Sequence, residues 1–267
     1  MIALFVFLFG LIIGSFLNVV IYRYNTGVGL GGRSGCLSCG KTLSWYELFP
    51  VLSFLVQKGK CRKCKTKLSW QYPLVELITG LLFLATFWKL AGEGFDIHHI
   101  VGEALALCGW CLLVVIATYD FRHKIIPDGL AYAFAIIGLI RIFVMVPVSD
   151  IGMFSFLLAG PLFFLPFFLL WQISDGKWIG LGDGKLALGI GFMLGIGYGA
   201  SALAFAFWIG AGVSIIAMII LRFRLKSKAG GLTMKSEIPF APFLILGFAI
   251  VYFLSVDVIG LHTILRL

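Results

Sequence analysis

Long apolar runs dominate the chain and alternate with short polar segments that are rich in lysine and arginine. Because the runs are continuous and do not alternate between apolar and polar residues, they are typical of membrane-spanning helices rather than barrel strands. We predict eight transmembrane helices, at residues 1–22, 73–91, 100–119, 129–147, 151–172, 185–199, 201–221 and 240–262. Tight turns are expected at Pro147 to Asp150 and at Tyr198 to Ser201, with antiparallel helices on either side.

Composition agrees with this pattern, since 61% of the 267 residues are hydrophobic and only 12% are charged. A soluble domain could not cover its surface with so few polar groups. Residues 1–22 lack a basic start and an A-x-A-like cleavage site, so we expect a retained first helix and not a signal peptide. The predicted fold class is an all-α polytopic membrane protein with about eight transmembrane helices.

The basic residues indicate the orientation. Eighteen of the 21 Lys and Arg residues lie in four segments, residues 23–72, 120–128, 173–185 and 222–239. Eight spans place these four segments on one side, which the positive-inside rule makes cytoplasmic. The net charge of +9 follows the loops and forms no single patch, so a membrane is expected as partner and nucleic acid is not.

A four-cysteine module occupies the largest loop. Two CxxC pairs with 21 residues between them supply the thiolates of a tetrahedral zinc site, at Cys36, Cys39, Cys61 and Cys64. Disulfides are disfavoured in a cytoplasmic loop, so zinc with a structural role is preferred over free thiols or a redox pair. A third pair, Cys108 and Cys111, lies in an apolar span and is expected to pack as small hydrophobes.

Two aspartates stand at the predicted cytoplasmic boundary of the membrane. Asp120 closes the third span and Asp183 opens the sixth, so both lie at the same depth. Two adjacent carboxylates share one proton, and such a pair supplies the acid and the base of an aspartic protease. Helix capping or interfacial anchoring is the structural alternative for each residue alone. The glycines beside Asp183 are expected to let a substrate backbone approach closely.

Other acidic residues compete with this pair. Asp128 and Asp175 are rivals for the two roles, although Asp128 follows a proline and is also a candidate helix cap. Glu47 and Glu76 flank the cysteine module and are tentative binding residues for a basic substrate. Glu103 and Asp257 are expected near water at external helix ends, with no chemical role.

Several strings then give a strong resemblance to the type IV prepilin peptidases, the family of bifunctional leader peptidases and N-methyltransferases. They are "GSFLNVVIYR", the two CxxC pairs, "YDFRHKIIPD", "GLGDGKL" and "IPFAPFL", in the family's order. The chain departs from many members at Leu37, where proline is common, and at Lys65, where glycine is common. Neither change removes a cysteine.

The resemblance implies a membrane aspartic protease that removes the basic leader of prepilin or pseudopilin precursors. It places the catalytic pair on Asp120 and Asp183 and the metal ligands on the four loop cysteines. It also implies N-methylation with S-adenosylmethionine, and a multi-pass protein of the bacterial inner membrane whose active site faces the cytoplasm. The expected domains are the first helix (1–22), the zinc-binding and methyltransferase-associated loop (23–72) and the peptidase domain (73–267).

Two other function classes fit parts of the sequence. A proton- or ion-coupled transporter would also keep carboxylates in membrane helices, although no inverted repeat is visible. A zinc-dependent interaction or redox module on a membrane anchor would need only the loop, and eight spans exceed what an anchor requires.

Overall fold

The structure is a computed structural model that describes residues 1–147, 152–224 and 239–261. Within these residues the regular elements are α-helices, apart from a 3₁₀ turn at Trp45–Glu47 and two isolated β-bridges. The helices are α1 (Ile2–Arg23), α2 (Leu52–Val56), α3 (Gln71–Glu93), α4 (Ile97–His123), α5 (Asp128–Met145), α6 (Gly152–Ile173), α7 (Leu181–Arg224) and α8 (Ala241–Leu254). All but α2 and the shorter α8 are long and apolar enough to cross a membrane, which confirms the predicted all-α membrane fold.

The chain forms two compact units, Met1–Val115 and Ile116–Leu267. In the first unit, α1 and α3 approach each other closely because glycines face the contact. A Cβ atom at Gly14 would lie 2.7 Å from Cα of Glu76, so only glycine fits there. The Asn18 side-chain amide, buried on α1, donates a hydrogen bond to the Tyr72 carbonyl at 3.1 Å. This pair of helices carries the cysteine loop between its ends.

Helix α7 has 44 residues and would measure about 66 Å if it were straight, which is twice the thickness of a bilayer core. It is interrupted at Gly195, whose φ of 73° and ψ of −175° are outside the helical range. Such a backbone conformation is open to glycine and strained for other residues. The element therefore consists of two helical arms joined at Gly195.

The two arms run in opposite directions along α6. In the first arm, a Cβ at Gly184 would touch Phe167 and a Cβ at Gly195 would touch Phe156, so the chain moves toward the start of α6. In the second arm, the Phe207 ring stacks on Phe167 with 6.2 Å between centroids. The second arm has therefore returned to the part of α6 that Gly184 contacts. Helix α7 is thus a hairpin, and its two arms account for the predicted sixth and seventh spans.

Two predicted boundaries are wrong. The turn expected at Tyr198 to Ser201 is helical, and the chain reverses at Gly195 instead, where the missing side chain leaves room for Phe156. Helix α8 ends at Leu254 and not near residue 262, because Ser255 adopts a left-handed conformation that terminates it. The turn expected at Pro147 to Asp150 falls largely outside the described residues.

Candidate active site and metal centre

Asp120 lies in the last turn of α4, and its side chain is buried. Its carboxylate oxygen Oδ2 accepts a hydrogen bond from the backbone N–H of Ala241, the first residue of α8, at 3.3 Å. The first N–H groups of a helix have no partner within that helix. Asp120 therefore supplies an acceptor to the start of α8 from a helix more than a hundred residues away in the chain.

Asp183 lies in the first turn of α7 and is also buried, with 8% of its surface exposed. Its backbone N–H donates to the Gly180 carbonyl at 3.2 Å, which begins the helix. The position is unusual for a carboxylate, because burial of a charge without a partner is costly. Asp183 is therefore a functional candidate on structural grounds as well as by sequence.

The glycines beside Asp183 serve packing within the protein. A Cβ at Gly182 would lie 2.8 Å from Cβ of Ile126, and a Cβ at Gly184 would lie 2.9 Å from Cβ of Phe167. The space next to both glycines is filled by the segment before α5 and by α6. Packing within the protein therefore accounts for these two glycines, and substrate approach at them stays a prediction. Gly180, in the string "GLGDGKL", is exposed, and a Cβ atom added there would meet no atom closer than 3.5 Å.

Asp120 and Asp183 form an electrostatically interacting pair. The Coulomb interaction with Asp120 is among the interactions that act on the Asp183 carboxyl, and both side chains are buried within the same unit. The end of α4 and the start of α7 thus place two buried carboxyl groups near enough to interact electrostatically, which an aspartate pair requires. The catalytic role of the two aspartates stays a prediction.

The rival aspartates have other environments. Asp128 follows Pro127, which is the N-cap of α5, and its carboxylate forms an ion pair with Lys185 Nζ at 2.7 Å. The Lys185 side chain is 9% exposed and that of Asp128 is 64% exposed, so the pair reaches from the protein interior to the surface. Asp175 is exposed, in a left-handed turn after α6 (φ 49°). Neither residue shares the burial of the pair.

The four loop cysteines converge on one point. Their Sγ atoms all lie within 4.8 Å of one another, and those of Cys36 and Cys64 are 3.8 Å apart. A tetrahedral zinc ion with Zn–S bonds of about 2.3 Å separates its sulfur ligands by about 3.8 Å. The arrangement therefore fits a four-thiolate zinc centre, which the residues of the two CxxC pairs would hold.

Each CxxC pair is a tight knuckle with the same backbone hydrogen bonds. In the first, Cys36 N–H donates to Lys41 O at 2.9 Å, and in the second, Cys61 N–H donates to Thr66 O at 2.9 Å. The residue after the last cysteine of each knuckle is left-handed, with φ of 68° at Gly40 and 58° at Lys65. Lysine at this position therefore carries backbone strain that glycine avoids.

Comparison with known proteins matches both parts of the chain. The model of the bacterial peptidase A24 N-terminal domain matches residues 8–90, which include all four cysteines. The model of the type IV leader peptidase family matches residues 105–215, which include Asp120 and Asp183. The chain belongs to the type IV leader peptidase family. No solved structure is a significant match.

Curated relatives of this family match over most of the chain. The prepilin leader peptidase/N-methyltransferase of Bacillus subtilis is 32% identical over 96% of this chain and 96% of its own length. The protein of the same name from Vibrio cholerae is 29% identical over 91% of this chain and 93% of its own. That from Myxococcus xanthus is 36% identical over 71% of this chain, and the match spans 55% of its length. The transporter hypothesis receives no support from these relatives.

Glu47 joins the two knuckles of the four-cysteine cluster. Its buried carboxylate accepts hydrogen bonds from Lys41 Nζ at 2.9 Å and from the Ser44 backbone N–H at 2.9 Å, and Arg62 Nε lies 3.9 Å away. The Ser44 N–H and the Lys41 ammonium hold the pKa of this carboxyl below its usual range. Lys41 follows the first knuckle and Arg62 lies inside the second, so Glu47 ties one to the other.

Glu76 ties the same loop to α3. Its carboxylate is buried, and Oε2 accepts a hydrogen bond from the backbone N–H of Val51 at 2.7 Å. Substrate contact by Glu47 or Glu76 stays a prediction. Both carboxylates are engaged by neighbouring groups of their own unit.

Two expectations about acidic and cysteine residues need correction. Glu103 is 1% exposed and pairs with Lys89 Nζ at 2.9 Å, so it is a buried ion-pair member and not a water-facing group. Asp257 accepts hydrogen bonds from the Ser201 hydroxyl and the Gly260 N–H, which closes the turn after α8. Cys108 is exposed on α4 and only Cys111 is partly buried, so core packing does not describe the pair.

Two residues near the aspartates in the structure form contacts that the sequence pattern does not reveal. Ala241 lies in the string "IPFAPFL", and its backbone N–H binds Asp120. Lys185 follows Asp183 by two residues and counts in the sequence only as a cytoplasmic charge. A lysine beside a membrane aspartate is nevertheless a signal for a partner carboxylate, which here is Asp128.

Proposed function

We propose that this chain removes the leader peptides of type IV prepilin-like precursors, with Asp120 and Asp183 as the catalytic pair. The observation that carries the proposal is that two buried carboxyl groups, at the end of α4 and at the start of α7, interact electrostatically. The relatives are named prepilin leader peptidases, and both halves of the chain match them. We infer from the basic loops that the site faces the cytoplasm of a bacterial inner membrane.

The chemistry requires one protonated and one ionised carboxyl group. The ionised group removes a proton from water as the water oxygen adds to the scissile carbonyl carbon, while the protonated group donates a hydrogen bond to the carbonyl oxygen. The C–N bond then breaks as the leaving nitrogen takes a proton from the pair. One proton is taken from water and one is delivered to the amine, so the pair returns to its starting state.

We also propose that the chain methylates the new N-terminal amine with S-adenosylmethionine, as the names of its relatives indicate. Cys36, Cys39, Cys61 and Cys64 would hold zinc, which would supply the folding free energy of a loop too small for its own core. A zinc ion closed by four cysteines has no open position, so its role is structural.

The test is a reaction of the purified protein with a synthetic precursor peptide, with and without S-adenosylmethionine, read by mass spectrometry. Cleavage at the end of the leader, followed by the gain of one methyl group only when the methyl donor is present, would support both activities. A peptide cleaved but never methylated would restrict the function to proteolysis. A folded protein that cleaves none of several precursor leaders would contradict the proposal.

A further inference from the structure

The loop that carries the metal centre exposes an apolar face on residues 49–56, here called the inserted segment. Leu52, Leu55 and Val56 occupy one side of the short helix α2 and are 58–70% exposed, and Phe49 is 50% exposed just before it. Phe54, on the opposite side, is buried. A contiguous apolar face without a polar member marks an interaction or membrane site.

The depth of this segment can be read from its attachment to α3. Val51 N–H donates a hydrogen bond to Glu76, which lies one helical turn beyond Tyr72, and a helical side chain leans back toward the start of its helix. Tyr72 stacks on Tyr22 with 5.2 Å between ring centroids, and Trp70 precedes the helix. Aromatic residues at helix ends mark the membrane–water interface. The inserted segment therefore lies near the aromatic level, at the membrane–water interface.

The residues that follow have the opposite character. Six cations come directly after the inserted segment, and they are Lys58, Lys60, Arg62, Lys63, Lys65 and Lys67. Basic residues next to an apolar face are the combination that binds an anionic lipid surface, with the apolar face in the acyl boundary and the cations at the phosphates.

We propose that the inserted segment is buried in the lipid interface of the leaflet next to the loop, and that the cations after it bind anionic headgroups. The zinc module is then held against the membrane at three places, by α1, by α3 and by the inserted segment. This inference concerns the loop alone and does not depend on the proposed peptidase or methyltransferase activity.

The test uses the full chain in vesicles that contain anionic and neutral phospholipids. The photoreactive residue p-benzoylphenylalanine replaces Leu52 or Leu55, and a matched control carries it at Leu37, which is 80% exposed in the first knuckle. Irradiation should give lipid adducts at positions 52 and 55 in clear excess over position 37, as measured by mass spectrometry. Equal adduct yields at the three positions would overturn the proposal, and so would adducts to an added precursor peptide in place of lipid.

The hydrogen bond from the Val51 N–H to Glu76 allows a second test. Glu76→Leu removes the acceptor of the Val51 N–H, so the lipid adducts at Leu55 should fall toward the level of the Leu37 control, whereas Glu76→Gln keeps an acceptor and should keep the yield. Zinc content, measured in each variant, shows that the loop has folded. Adducts unchanged by Glu76→Leu in a zinc-loaded protein would contradict the inferred depth of the segment.

Discussion

Replacement of single glycines around Asp183 distinguishes a packing role of this motif from a role in substrate approach. In the structure, a methyl group added at Gly182 would lie 2.8 Å from Cβ of Ile126, whereas ordinary van der Waals contact begins near 3.4 Å. Cβ of Ile126 is fixed to its backbone and cannot rotate away. The start of α7, with Asp183, and the segment that carries Ile126 must therefore move apart by at least about 0.6 Å if Gly182→Ala is to fit.

A displacement of this size is large for a catalytic group, since misplacement by about 1 Å can reduce a rate by about a hundredfold. We expect Gly182→Ala to lower kcat for leader cleavage by about tenfold to a hundredfold, or about 1.4–2.7 kcal/mol in activation free energy. KM should change little, because the change moves a catalytic carboxyl group and not a binding surface. Gly184→Ala should lower kcat to a similar extent, because its added Cβ would lie 2.9 Å from Cβ of Phe167.

The control is Gly180→Ala, where the nearest atom to the new Cβ is the Asp183 carboxylate oxygen at 3.5 Å, an ordinary contact. It should keep kcat near the wild-type value in a steady-state peptide cleavage assay. If Gly180→Ala lost as much activity as Gly182→Ala, substrate approach would account for the glycines better than packing. Wild-type kcat in Gly182→Ala would refute the packing role outright.

Three further predictions concern the ion pair and the metal centre. Asp128→Ala leaves the buried ammonium of Lys185 without its carboxylate partner and should cost about 1–3 kcal/mol in unfolding by SDS, whereas Lys185→Met leaves a solvated carboxylate and should cost less than about 1 kcal/mol; equal costs would contradict the asymmetric burial of the pair. Cys36→Ser should abolish the zinc content of the purified protein, and elemental analysis that still finds one zinc per chain would remove Cys36 from the ligand set. Lys65→Gly relieves a left-handed lysine and should stabilise the second knuckle by about 0.5–1 kcal/mol, seen as slower zinc release to a chelator; release as fast as in the wild type would show that the strain is unimportant.

The membrane helices could be predicted from sequence because an apolar run of bilayer length is rarely anything but a transmembrane segment. The sequence was less informative about the hairpin in α7, where several glycines stand close together and any of them can break a helix. Gly195 is the residue that leaves the helical range, whereas Gly191 and Gly199 also pack against α6 and stay helical, so the local pattern does not identify the break. The same limit accounts for the misplaced turn near Tyr198.

The candidate site shows a similar division. Asp120 and Asp183 could be paired from sequence because the positive-inside rule placed both at one membrane face. The cysteines could be paired because spacing constrains a tetrahedral site. The hydrogen bond from Ala241 to Asp120 and the ion pair of Lys185 with Asp128 join residues on different helices, so they required the packed structure.

The most direct test of the central claim is cleavage of a precursor peptide by Asp120→Asn and Asp183→Asn beside the wild type. Asparagine keeps an oxygen that can accept the Ala241 N–H but cannot donate or take the catalytic proton. Each variant should insert and fold like the wild type and lose at least about a hundredfold in cleavage rate. A folded variant of either kind that cleaves at the wild-type rate would remove that aspartate from the catalytic pair.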